Sequence, residues 1–257
     1  MNHPDCAFGY AQARVQARLG ARVTTADWQR LNGTRELAAL LQLAAATPLA
    51  SWTRDLAPHL PVHALEARLR QHWRASVDEA AAWQPAAWRA AIAWLRWLPD
   101  LPALEKLARG GVPPEWMRAD GVLGPLVAAE PRQRAARVRQ LEFAPLAAGF
   151  GTRPGVGDAW LAHWRRLWPA DRGAAAGLED VMRQVRAARL ELDRSAAGTR
   201  SQAPLARLEK RVMSRLRRHP LSPVTTVAWL ALVALDLLQL RGSVAVRALQ
   251  AAPGVAA

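Results

Sequence analysis

The chain of 257 residues is long enough to bury a sizeable hydrophobic core, and its 51% hydrophobic content excludes an intrinsically disordered protein. The single cysteine, Cys6, excludes a disulfide framework and fits a reducing compartment. The net charge of +14 is almost entirely arginine, because Lys106 and Lys210 are the only lysines. This charge suits nucleic acid, anionic lipid or acidic protein partners, and the codon bias of a GC-rich genome explains it equally well. Residues 1–10 contain no apolar segment of a signal peptide, so we expect a cytoplasmic protein.

Every predicted element is a helix, because alanine and leucine dominate and proline, glycine and threonine stand at helix boundaries. The first helices predicted are residues 7–19 before Gly20, a short helix capped by Thr24 or Thr25, and residues 35–46 between Thr34 and Pro48. Next come residues 62–83 after Pro61, an apolar helix from Pro85 through Trp97, and a helix that begins near Pro99 and Pro102. The remaining predictions are a Gly/Pro loop at 149–157, helices at 158–168 and 178–193, a polar linker at 195–204 and a frayed tail at 251–257.

The longest apolar stretch runs from Val224 to Leu235 and predicts a helix that begins near Pro223. Apolar residues occupy every face of this helix, so we expect it to be surrounded by protein. A membrane span is the alternative, but Asp236 interrupts the run, and an ionised carboxylate at the bilayer centre costs at least about 2.5–3.5 kcal/mol. Arg241 follows Asp236 at a spacing that allows contact across one turn or with a neighbouring helix. We therefore predict a core helix with an acid–base pair at its polar end.

Short sequence matches recur in the same order in two parts of the chain. They pair Leu65-Glu66-Ala67-Arg68 with Leu208-Glu209-Lys210-Arg211, Ala93-Trp94-Leu95 with Ala228-Trp229-Leu230, and Asp100-Leu101 with Asp236-Leu237. Their shared order predicts similar helical half-units that stack, because neither covers its own apolar face alone. The chain then divides into an N-terminal helical unit (1–60), a first core repeat (61–115), a middle helical region (116–200) and a C-terminal core repeat (201–257).

Both ends of the chain carry residues that resemble the motifs of one family. The C-terminal motif consists of Pro223, Val224, Ala228, Trp229, Leu230, Asp236, Leu240 and Arg241. The N-terminal motif consists of Tyr10, Arg14, Val15, Ala17, Arg18, Trp28, Leu31, Leu37, Leu40, Leu41 and Thr47, and an internal motif spans Asp100, Leu104 and Arg109. Together they resemble the AC39 family of V-type ATPase subunits. Trp229, Asp236 and Gln239 stand where that family usually has Tyr, Glu and Asn.

The resemblance implies a funnel of short helices that seats on the membrane rotor ring and receives the central stalk of a rotary ATPase. It implies a coupling protein that supports proton or sodium transport, not an enzyme, without a cofactor, metal, small-molecule substrate or nucleic-acid partner. Such a protein is peripheral on the cytoplasmic face of the inner membrane. The motif residues Tyr10, Arg14, Arg18, Asp100, Leu104, Asp236, Leu240 and Arg241 would then be structural.

Other signals are less specific. His59 and His63 have the spacing of a helical metal pair, but Pro61 lies between them and no third ligand accompanies them. The loop at 149–157 lacks the Gly-Lys-Ser/Thr ending of a phosphate loop. The tryptophans Trp160, Trp164 and Trp168 recur at helical spacing, which predicts either a core stripe or a partner contact. Two other functions stay open: an Arg-rich helical nucleic-acid-binding protein, and a membrane-anchored protein with residues 224–240 as its span.

Overall fold

The computed structural model describes residues 7–195 and 203–251, the last four residues of the first range by their backbone only. Regular secondary structure in these ranges is helical throughout, which confirms the predicted all-α class. The α-helices are α1 (Gly9–Gly20), α2 (Thr25–Asn32), α3 (Leu37–Ala44), α4 (Ala50–Thr53), α5 (Val62–Ala82), α6 (Ala86–Ala93), α7 (Leu101–Ala108), α8 (Trp116–Ala119), α9 (Gly124–Val127), α10 (Arg134–Val138), α11 (Gly155–Arg166), α12 (Arg172–Ser195), α13 (Ala203–Arg218) and α14 (Pro223–Ala251). Short 3-10 helices lie at Trp94–Asp100, Pro131–Gln133 and Ala144–Gly149.

Several helix boundaries follow the residues that predicted them. Thr24 caps α2: its hydroxyl accepts the Asp27 N–H at 3.1 Å, and the Asp27 carboxylate accepts the Thr24 N–H at 3.0 Å. Pro61 directly precedes α5. The predicted cap at Thr34 is wrong, because α3 begins at Leu37 and the Thr34 hydroxyl donates to the Leu31 carbonyl at 2.8 Å. A short hydroxyl side chain that bonds back to the preceding turn cannot also cap the next helix.

The apolar segment after Pro85 is not one continuous helix. Its α-helical part, α6, ends at Ala93, and the chain continues as the 3-10 helix Trp94–Asp100, which contains Pro99. Proline lacks an N–H and disfavours the α conformation of the residue before it, so the backbone tightens here. The helices α11 and α12 begin earlier than predicted. Residues 196–202 of the predicted linker and 252–257 of the predicted tail lie outside the described residues.

The chain forms two compact units, which we call unit 1 (Met1–Arg89 and Ala170–Ala257) and unit 2 (Ala90–Pro169). In unit 1, α14 is the central helix and packs against α1, α3, α5, α12 and α13. Its first turns, Pro223 to Leu230, are buried on every side. The buried Gln84 side chain donates to the Thr226 hydroxyl at 3.0 Å, which satisfies polar groups that would otherwise be costly in the core. This division differs from the four predicted segments, because Ala170–Ala257 belongs to the same unit as Met1–Arg89.

By length and composition, α14 is a helix that could cross a membrane. It has 29 residues, and its most apolar 18-residue window has a mean hydropathy of 1.7. In the structure 72% of that window is buried within the protein. A core helix and a membrane span share the same composition, and burial of most of the window by neighbouring helices favours the core interpretation.

Unit 2 is built around α11, which packs against α7 and the 3-10 helix Ala144–Gly149. The Glu105 carboxylate accepts the Val156 N–H at 2.8 Å, so a side chain of α7 satisfies one of the free amides in the first turn of α11. At the other end of α11, the Trp164 indole N–H donates to the Ala91 carbonyl at 2.8 Å. Fully buried side chains between these contacts form the core: Ile92, Leu104, Leu107, Leu123, Leu126 and Leu146.

Gly149 lies where two backbone segments of unit 2 approach most closely. A Cβ atom at Gly149 would lie 2.5 Å from the carbonyl oxygen of Gly155 and 2.5 Å from the Cα of Val156. Since neither backbone atom can move without displacing α11, we expect Gly149→Ala to lower the free energy of unfolding by about 1–3 kcal/mol in urea denaturation. The matched control is Gly157→Ala, where an added Cβ meets nothing within 4 Å, and it should be neutral or stabilising. Equal losses in both variants would contradict this packing.

The internal sequence matches do not share one backbone structure. Glu66 and Glu209 occupy comparable places, since each lies within a long helix that packs against α14. However, Ala93-Trp94-Leu95 spans the end of α6 and the start of a 3-10 helix, whereas Ala228-Trp229-Leu230 lies inside α14. Pro99 follows only the first of these two tripeptides, and its ring accounts for the difference.

Candidate functional site

Arg22, in the link between α1 and α2, binds two carboxylates of unit 1. Its Nε and Nη2 donate to the Asp236 carboxylate at 2.7 and 2.8 Å, and its Nη1 donates to Glu209 Oε1 at 2.6 Å. A guanidinium that holds a carboxylate through two parallel bonds combines charge with fixed geometry. Through this one side chain the N-terminal helices are joined to α13 and α14.

Asp236 is the most buried member of this network. Its side chain is 6% exposed, compared with 19% for Arg22 and 44% for Glu209. Burial raises the pKa of Asp236 above its usual value, while the hydrogen bonds and charge of Arg22 oppose that rise. Burial also disfavours the charged form of Arg22, but its bonds to Asp236 and Glu209 outweigh burial and raise its pKa. The arrangement holds Arg22 as a cation between two helices.

The motif residues Tyr10, Arg14 and Arg18 lie on α1. Arg14 and Arg18 both donate to Glu79 Oε1, at 3.1 and 2.5 Å, and thereby join α1 to α5. The Arg14 guanidinium also lies 5.3 Å from the ring centroid of Trp83, within the range of a cation–π contact. Tyr10 differs from these arginines because its side chain is 61% exposed. The motif therefore contains two residues that anchor a helix and one that faces solvent.

The predicted acid–base pair of Asp236 with Arg241 is wrong. Arg241 Nε and Nη2 donate to Glu66 Oε1 at 2.9 and 2.8 Å, which joins α14 to α5. Residues five apart point about 140° away from each other around a helix, so Asp236 and Arg241 meet different parts of unit 1. Between them Leu240 is fully buried in the core.

The internal motif residues Asp100 and Leu104 belong to the interior of unit 2. Asp100 is 1% exposed at the end of the 3-10 helix, and Leu104 in α7 is 0% exposed. Neither side chain is available to a partner. The residues at the matching sequence positions, Asp236 and Leu240, belong to unit 1 instead.

Two tryptophans of the predicted stripe, Trp160 and Trp164 on α11, are part of the core of unit 2. Trp160 and Trp164 are 2% and 0% exposed, and their rings stack with centroids 5.5 Å apart. Trp168 is half-buried and meets Trp164 edge-on at 4.9 Å. The partner-contact interpretation is therefore wrong for Trp160 and Trp164, because their indoles are already covered by the unit itself.

No group of three or more histidine, cysteine, aspartate or glutamate side chains that could hold a metal ion is present in residues 7–195 and 203–251. A cleft of about 340 Å³ in unit 2 is lined by Trp94, Trp97 and His163, among others, and its lining contains no hydroxyl or thiol nucleophile. The His163 imidazole lies 4.4 Å from the Trp94 ring. Burial, and then the charge of Arg166, lower the pKa of His163, so this imidazole is held towards its neutral form.

The partners of the motif residues are not evident from the sequence. Arg22 lies in an irregular link, where no periodicity marks a buried residue. Glu66 and Glu209 stand out only as members of the internal match, each directly after a buried leucine of an amphipathic helix. In the sequence, this position next to the apolar stripe of the helix is what indicates that each glutamate lies at a helix–helix contact.

Comparisons with protein-family models, with curated proteins and with solved structures find no match to this chain.

Proposed function

We propose that this chain is a non-catalytic coupling component of a V-type rotary ATPase, the role that its resemblance to the AC39 family implies. The observation that carries the proposal is the bidentate bond of Arg22 to Asp236, two residues 214 positions apart in sequence. Arg22 lies between the motif residues Arg18 and Trp28, so this bond joins the segment that carries the N-terminal motif to Asp236 of the C-terminal motif. Both segments belong to unit 1, which supports the proposal that the two motifs form one functional body.

The construction of unit 1 suits a protein that transmits torque. Such a protein performs no covalent chemistry and needs a body that resists deformation, and densely packed interiors transmit strain. The helix α14 is enclosed by five other helices, and ion pairs through Glu66, Glu79 and Glu209 fix the surrounding segments. These pairs are partly exposed and each contributes little energy, so their part is to set the orientation of the helices that they join.

In this role the chain contacts the central stalk and the membrane rotor ring and lies on the cytoplasmic face of the inner membrane. The role uses no cofactor, small-molecule substrate or nucleic acid, and its large positive charge faces acidic surfaces of the other ATPase components or of the membrane.

Affinity purification tests this proposal. A tagged chain, isolated from its native membranes in mild detergent, should co-purify with the catalytic, stalk and ring proteins of a rotary ATPase identified by mass spectrometry. Asp236→Ala should reduce this recovery, and Glu66→Ala, which removes the partner of the exposed Arg241 on the same helix, should not. A fully assembled rotary ATPase that lacks the chain would rule the proposal out.

The two alternative functions predict different results in simple experiments. Alkaline carbonate should release a peripheral protein from membranes, whereas a chain anchored through α14 would stay in the pellet. A nucleic-acid-binding protein would retain a DNA or RNA duplex on a filter with an affinity that falls steeply as salt rises. Either of these results would replace the proposed function.

A further inference from the structure

The turn between α13 and α14 carries a small surface that we call the basic end, formed by Arg217, Arg218, Pro220 and Leu221. All four residues are exposed. The turn is fixed to α1, because the Leu221 N–H donates to the Gln12 side-chain oxygen at 3.1 Å. The basic end is therefore a defined part of unit 1 and not a frayed loop.

The positive charge of the basic end is not compensated within the described part of the chain. Arg217 and Arg218 form no ion pair with any described residue, whereas Arg207 and Arg215 of the same helix pair with Glu191 and Asp180 at 2.8 and 2.5 Å. The sequence also contains no acidic residue between Glu209 and Asp236. The fifth arginine of α13, Arg211, donates to the neutral Gln184 side chain at 3.5 Å, so Arg217 and Arg218 are the α13 arginines without a side-chain partner among the described residues.

Leu221 is held in an unusual conformation. Its φ is 53°, the one left-handed backbone among the described non-glycine residues, and its side chain is 40% exposed. This conformation has a steric cost for leucine, although a large part of the side chain stays in solvent. A strained apolar residue displayed beside two free arginines indicates a surface that contacts something outside the chain.

We propose that the basic end contacts an anionic lipid surface, where Leu221 enters the headgroup region and the Arg217 and Arg218 guanidinium groups bind lipid phosphates. A phosphate layer above an apolar interior is the environment that accepts an apolar tip and its flanking arginines together. A nucleic-acid backbone would use the arginines and leave the leucine exposed.

This inference deepens the proposed function and rests on it for the position of the chain at a membrane. The test uses the purified chain without other ATPase components, so the two claims fail separately. If the chain binds vesicles but does not co-purify with rotary ATPase proteins, only the coupling role is contradicted. Co-purification without vesicle binding would contradict only the lipid contact.

Sedimentation with lipid vesicles measures the contact directly. The chain should bind vesicles of equal parts phosphatidylglycerol and phosphatidylcholine, bind pure phosphatidylcholine vesicles far less, and dissociate as salt rises above about 0.1 M. The double variant Arg217→Gln/Arg218→Gln should bind anionic vesicles about 25-fold more weakly, because each arginine near such a surface contributes about five-fold. Leu221→Asn should weaken binding several-fold with an unchanged or higher Tm, since asparagine tolerates the left-handed conformation.

Two control variants match these changes elsewhere in unit 1. Arg35→Gln/Arg54→Gln removes the same charge from exposed positions, and Leu190→Gln removes a leucine that is 55% exposed on α12. Both controls should retain binding close to that of the unchanged chain. An equal loss of vesicle binding in Arg35→Gln/Arg54→Gln would overturn the proposal, because it would show that binding depends only on net charge. An equal loss in Leu190→Gln would overturn the part assigned to Leu221. Tighter binding to a short DNA duplex, lost in Arg217→Gln/Arg218→Gln, would also overturn the proposal.

Discussion

Asp236→Ala is expected to lower the free energy of unfolding of unit 1 by about 3 kcal/mol. Removing one member of a buried ion pair costs about 3–5 kcal/mol, because the remaining charge keeps its desolvation cost and loses its partner. We expect the lower end of this range because Arg22 keeps its bond to Glu209 and is itself 19% exposed. The midpoint of urea denaturation gives the change, and hydrogen exchange of α1, α13 and α14 locates it.

The control for this prediction lies on the same helix. Arg241 pairs with Glu66, but the Arg241 side chain is 54% exposed, and exposed pairs contribute at most about 1 kcal/mol. Glu66→Ala should therefore change stability much less than Asp236→Ala. An Asp236→Ala variant as stable as the unchanged chain would show that Arg22 does not hold the ends of unit 1 together.

Trp164→Ala is expected to lower the free energy of unfolding of unit 2 by about 3–5 kcal/mol. The indole is fully buried and is one of the largest buried side chains, so its removal leaves a cavity that the neighbouring rings cannot fill without moving. The variant also leaves the Ala91 carbonyl without the hydrogen bond from the indole N–H. Hydrogen exchange should show lost protection in residues 90–169 and unchanged protection in α14.

Trp168→Ala provides the comparison, since Trp168 lies on the same stripe and is only half-buried. Its removal should cost clearly less stability than that of Trp164. If Trp164→Ala instead left urea denaturation unchanged and weakened binding to another protein, the stripe would be an interface and the core assignment would fail.

The elements that the sequence predicts correctly are those whose signals are local. Thr24 caps α2 and Pro61 precedes α5 because capping and proline geometry depend on a few adjacent residues. The helical state of α14 also follows from its own composition, whereas its burial by neighbouring helices is a finding of the structure. The 3-10 helix before Asp100 is not predicted, because Trp94 to Leu98 has a helical pattern and Pro99 changes the hydrogen bonding of the residues that precede it.

The partners of the charged residues cannot be predicted in the same way. The sequence predicts Arg241 as the partner of Asp236 because the two residues are close in the chain. In the structure the partner of Asp236 is Arg22, which lies 214 positions away. Which arginine reaches a buried carboxylate depends on how the helices pack, and the 35 basic residues offer many candidates of the same chemistry. The same limit applies to the Trp160 stripe, where periodicity identifies one helix face and cannot tell what covers it.

In the proposed function, this chain couples ATP hydrolysis to ion transport. The most direct measurement compares ATP-driven ion uptake with ATP hydrolysis in inverted membrane vesicles from cells with and without its gene. We predict that ion uptake is lost without the chain, returns with the unchanged chain, and returns only partly with Asp236→Ala. Ion uptake per ATP hydrolysed that is the same in the presence and absence of the chain would contradict the account.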